Sequence, residues 1–178
     1  MNYDSIGMLR LVKAFLDIAL RRQTPAYLPA SLFLLLLAAG AAALSEVLGA
    51  LLPPPPNDAI LMRIVLGVGL PVAFAWVLLA LTRRRARFLQ TATALLGVGA
   101  LADFILYPLD SLVRLIGVDK LLALPIGVLW TAVFIGYLLA CAHIWRSAFD
   151  SGLMLGGIVS IGYFLLALAI EQQVLPHS

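Results

Sequence analysis

Five stretches of this chain are each long and apolar enough to cross a bilayer, and they limit its fold more than any other feature. They lie at about 28–52, 59–82, 88–108, 121–145 and 152–174; about 20 apolar helical residues cover the ~30 Å hydrocarbon layer. Hydrocarbon offers the backbone no water, so each N–H and C=O must bond within its own segment, and helix follows. A soluble alternative fails on composition. The chain is 63% hydrophobic and only 12% charged, with a mean hydropathy of +1.05, against about 25% charged residues in soluble domains. The expected fold is all-α: an amphipathic interfacial helix and turn over 1–27, then a polytopic bundle of five transmembrane helices over 28–178.

The amphipathic segment is read from Ile6, Leu9, Val12, Leu16, Ala19 and Leu20, which recur at three- and four-residue spacing while Arg10, Lys13, Asp17 and Arg21 fall elsewhere on the wheel. Such a helix lies in the headgroup layer, each basic residue adding roughly 1 kcal/mol near anionic lipid. Asp4, Arg10, Lys13, Asp17, Arg21 and Arg22 interrupt any continuous apolar run at the start, so a cleaved signal peptide is not expected. Prolines punctuate the rest. Pro25 and Pro29 turn the chain toward the bilayer, and Pro53 to Pro56 form a stiff connector outside the hydrocarbon. Pro71 is expected to kink the second span and Pro108 to end the third, with Ser111 to Val118 as a partly embedded half-helix.

Five crossings sort the basic residues into two sets. Arg10, Lys13, Arg21, Arg22, Arg83, Arg84, Arg85, Arg87 and Arg146 share one side, against Arg63, Arg114 and Lys120 on the other. Positive charge marks the cytoplasmic side, so the amino terminus is expected inside and the carboxyl terminus in the periplasm of a bacterial inner membrane. Glu46, Asp58, Asp110, Asp119 and Glu171 gather toward the outer side.

Charge within hydrocarbon costs at least about 2.5–3.5 kcal/mol at the centre, so Glu46, Arg63 and Asp103 are the candidate intramembrane cluster. Glu46 and Arg63 flank one hairpin and are expected to pair. Asp103 lies at similar depth, with Tyr107 one turn later as a hydrogen-bond donor or an interface anchor. Arg10, Lys13, Arg21, Arg22, Arg83, Arg84, Arg85 and Arg87 are expected to bind lipid headgroups. Gly152 and Gly156 form a GxxxG step that lets helices approach, inside the bundle or between subunits. Trp76, Trp130 and Trp145 read as packing or interface aromatics, and His143 as a hydrogen-bonded border residue. One cysteine, Cys141, permits no intrachain disulfide and no thiolate cluster. No metal, no cofactor and no catalytic residue is expected, because HExxH, G-x-S-x-G and phosphate-loop motifs are all missing, and Ser45 and Ser160 are isolated hydroxyls.

With its proline-bearing approach Gln23, Thr24, Pro25, Ala26, Tyr27, Leu28, Pro29 and its Arg83 to Arg87 cluster leading into Phe88, Leu89, Gln90, Thr91, Ala92, the chain resembles bacterial relatives of the Yip (Ypt-interacting) family of five-span membrane proteins. The resemblance covers nearly the whole chain in length and topology and carries over no catalytic residue. It implies a non-enzymatic factor acting through protein or lipid contacts. The leading expectation is therefore an inner-membrane scaffold that binds membrane lipids, other membrane proteins or further copies of itself, and no nucleic acid. The rival is a small transporter or channel component with a polar path at Glu46, Arg63 and Asp103. A third reading, an intramembrane enzyme acting on lipid, lacks its motif.

Overall fold

A computed structural model describes residues 3–51, 59–116 and 120–174. They form an all-α bundle. Helix α1 is Tyr3–Ala19, and a 3-10 turn, Pro25–Tyr27, leads to α2, Leu32–Ala50. Helix α3 covers 59–81 and joins Ala59–Ile64, a π-helical turn Val65–Gly69 and Leu70–Leu81. Helices α4, α5 and α6 are Phe88–Ile116, Lys120–Phe149 and Leu153–Val174. Five of these, α2 to α6, are long and apolar enough to cross a membrane, as the sequence predicts. The chain is an integral membrane protein.

Two proline expectations need correction. Helix α4 does not stop near Pro108 but runs through it to Ile116, so Ser111 to Ile116 continue the span instead of forming a separate half-helix. Val118 and the four-proline connector lie outside the described residues. A proline removes one helical hydrogen bond, whereas unwinding the neighbouring turns in an apolar medium would strand several, so the helix persists. Pro125 likewise lies within α5. Pro71 behaves differently. It lies in the first turn of Leu70–Leu81, just after the π turn Val65–Gly69, where a proline is tolerated and the changed winding accommodates its missing N–H.

Helix α4 is the axis of the bundle. Thr91 to Val98 are all buried, walled by α1, α2, α3 and α5, and this explains why its first half is apolar and small on every face. Leu79, Ile144 and Trp145 complete that half, with Phe74 edge-on to Trp145 at 5.6 Å. Helix α1 docks there too. Phe15 and Ile18 are buried, Phe15 filling the notch left by Gly97, while Leu9, Val12, Leu16 and Leu20 stay exposed on another face. The amphipathic helix thus carries two apolar faces, one for the bundle and one free to meet lipid.

The end of the bundle that carries Arg83 to Arg87, here the basic end, is closed by polar clamps. Helices α1, α3 and α5 each finish with a left-handed residue, Arg21, Arg83 and Asp150. The next amide in each case bonds back five residues, as in Arg84 N–H to Leu79 O, which satisfies a terminal carbonyl. Arg87 grips Asp150 with both Nη atoms at 2.8 and 2.7 Å and donates to Ser147 O, while Arg84 Nη1 donates to Asp150 at 2.9 Å. Arg84 and Arg87, expected on lipid headgroups, therefore instead cap α5 and tie the two turns of this end together. Arg10, Lys13, Arg21, Arg22, Arg83 and Arg85 remain exposed. Gln90 Nε2 donates to Leu28 O at 2.8 Å, and His143 Nε2 stands 3.0 Å from Gln23 O, so both hold the segment between α1 and α2.

Hydrogen bonds from Arg87 and then Arg84 hold the Asp150 carboxyl below its ordinary value of 3.8. A group depressed in the fold contributes stability that is present above its unfolded value and lost as pH falls through the folded one. The clamp is expected to open only below about pH 4. Acid titration of thermal stability checks this: Asp150→Asn should flatten the acid limb and leave the neutral-pH pattern of the spans unchanged.

Candidate functional site

Beyond Val98 the bundle splays, and a cavity of about 410 Å³ opens between α2, α3 and α4 on one side and α5 and α6 on the other. Its deep wall is buried at Ala42, Leu95, Leu96 and Ala100, and its rim is exposed at Leu168 and Glu171. Its lining is therefore buried toward the basic end and exposed toward the opposite, acidic end. At 1.5 Å per residue the walls from Leu95 to Asp110 run ~22 Å along α4. Phe74, against Tyr163 at 5.1 Å and Trp145 at 5.6 Å, packs beneath it.

The carboxyl groups of Glu46, Asp103, Asp110 and Glu171 all line this space. Tyr107 O–H donates to Glu46 Oε2 at 3.0 Å, and the Ser45 hydroxyl is shared between Ala42 O at 2.8 Å and Asp103 Oδ2 at 3.2 Å. Two glycines allow this crowding. A side chain at Gly49 would meet the Tyr107 ring at 2.6 Å, and one at Gly67 would overlap the Glu46 carboxylate. Glu46, Asp103 and Tyr107 thus come together as the sequence predicts, through helices α2 and α4.

Arg63 does not join them as expected. Glu46 and Arg63 interact electrostatically, yet the ion pairs among the described residues are those of Asp150, and Arg63 Nε is buried without a hydrogen-bond partner. The π turn explains this. It inserts one residue between Arg63 and the packed stretch around Ala75 and Leu79, turning the arginine by roughly 100° from where an unbroken α-helix would put it.

Sequence reasoning placed Asp110 and Glu171 only as charges on one side and Ser45 as an isolated hydroxyl. It missed Tyr137, Tyr163 and the aromatic wall. The signal was present: Asp103, Tyr107 and Asp110 share a face of α4, Trp130, Phe134 and Tyr137 a face of α5, and Tyr163, Ala167 and Glu171 a face of α6. The GxxxG step is also asymmetric. Gly156 lies on the α5 backbone at Ala142, whereas Gly152 has open space around it. The approach is internal to the bundle and uses one of the two glycines.

Comparison of the chain with family models, with curated proteins and with solved structures returns no match. Function must be read from the cavity itself.

Proposed function

We propose that the chain is a small membrane carrier that binds a solute in the carboxylate-lined cavity between its five spans. The observation that carries this is the cavity: about 410 Å³, with Glu46, Asp103 and Glu171 on its wall and no lysine or arginine among the described residues that line it. Carboxylates at this depth oppose folding into lipid. A purely structural set would be neutralised by contact with Arg63, and that contact is not made. The excess of arginine at the basic end supports placing that end in the cytoplasm and the cavity mouth on the far side, in a bacterial inner membrane. Arg10, Lys13, Arg21, Arg22, Arg83 and Arg85 are free to meet anionic lipid there.

A scaffold role is the second reading, favoured by Gly40 and Gly162. Both are exposed with nothing within 4 Å, so they offer small-residue faces to another membrane protein or a second copy. A relationship to the Yip-type five-span proteins would fit that reading. Two measurements on the full chain separate them. Protein-dependent solute exchange in reconstituted vesicles supports the carrier; a stoichiometric membrane neighbour retained in mild detergent, with no exchange, supports the scaffold.

A further inference from the structure

The chemistry of the cavity wall narrows the solute. The charged side chains among the described residues that line it are all acidic, and each of the two deep carboxylates has one oxygen engaged by a neutral donor, Tyr107 O–H for Glu46 and Ser45 O–H for Asp103. Arg63 attracts Glu46 electrostatically without forming an ion pair with it, so among the described residues neither deep carboxylate is bound to a cation and both can meet one that enters. Among the described residues no three acidic, histidine or cysteine side chains stand close enough to hold a metal ion, and the space is far larger than a single bare cation. Carboxylates alone would say no more than that.

The opposite wall supplies the second half of the argument. Trp130 and Phe134 stack at 5.2 Å, and Phe164 meets Phe134 edge-on at 5.0 Å, making a continuous aromatic surface across α5 and α6. Aromatic faces bind cations with dispersed charge through the ring quadrupole and bind apolar bodies by burial, and indole is the strongest of them. A site with anionic groups on one wall and stacked rings on the other matches a cation that also has a hydrophobic side.

We infer that the cavity takes an organic ammonium ion with an apolar or aromatic body, its charged end between Glu46 and Asp103 and its body against Trp130, Phe134 and Phe164. This rests on the reading of the cavity as a solute site. It also assigns Trp130, which sequence reasoning treated as a packing or interface aromatic, to ligand contact.

The test uses the purified full chain in detergent and follows tryptophan fluorescence and calorimetry with five probes. Benzyltrimethylammonium is expected to bind at least about tenfold more tightly than benzyl alcohol, benzenesulfonate, tetramethylammonium or potassium. Trp130→Phe should remove the fluorescence change while leaving most of the heat. Equal binding of benzyl alcohol or benzenesulfonate would overturn the cationic class, and equal binding of tetramethylammonium or potassium would overturn the apolar body; either result leaves a solute site standing. Binding of none of the five overturns the inference, and solute exchange by vesicles then decides the carrier reading separately.

Discussion

Gly156→Ala is expected to destabilise the bundle by an amount at the upper end of the roughly 1–3 kcal/mol typical of overpacking. The added methyl would overlap the carbonyl of Ala142 and stand 3.0 Å from the amide nitrogen of Arg146. These are backbone atoms of an intact helix, and no rotamer change can move them aside. Helix α6 would have to shift away from α5, its principal neighbour, taking Tyr163, Phe164 and Glu171 off the cavity wall. Equilibrium unfolding in mixed micelles measures the effect. Gly152→Ala, one turn earlier in open space, should be near neutral and serves as the control.

Asp103→Asn should abolish solute exchange, lowering it by about a hundredfold or more, while leaving the protein as stable as before or more so. Asparagine keeps an acceptor for the Ser45 hydroxyl, so the local packing survives. What disappears is an ionisable carboxyl group on a largely buried wall, whose charged form costs folding energy. Loss of activity with equal or higher thermal stability marks a residue held in place for function. If instead the carboxylate served only to fix helix register, the same substitution would lower the melting temperature and leave exchange intact.

The number and placement of the spans could be read from length and hydropathy alone, because hydrocarbon leaves a chain few options. Boundaries set by proline could not. Pro108 reads as a stop in water-based rules, yet it sits inside α4, because lipid raises the cost of breaking a helix. The meeting of Glu46, Asp103 and Tyr107 near one end of their helices could be anticipated by counting residues from the span ends. The Glu46 and Arg63 pair failed on a local event, the π turn at Val65–Gly69, which counting cannot register. The tie of Arg84 and Arg87 to Asp150 was not legible either: an arginine cluster reads as a lipid contact until a tertiary partner is known. The aromatic wall was legible as periodicity along α5 and α6, but only the packing of the two helices showed that those faces look at the carboxylates.

The central claim is that the bundle holds a chamber reached from the acidic end, and thiol accessibility tests it most directly. In a Cys141→Ala background, which removes the buried native thiol, Ala167→Cys places a thiol on the cavity wall. A membrane-impermeant maleimide added to sealed vesicles should modify it only from the compartment facing Glu171, and Ala92→Cys, in the packed half with no exposed surface, should stay unmodified from either side. Labelling of Ala167→Cys from the compartment facing Arg83, or from neither until the bundle is unfolded, would contradict the account.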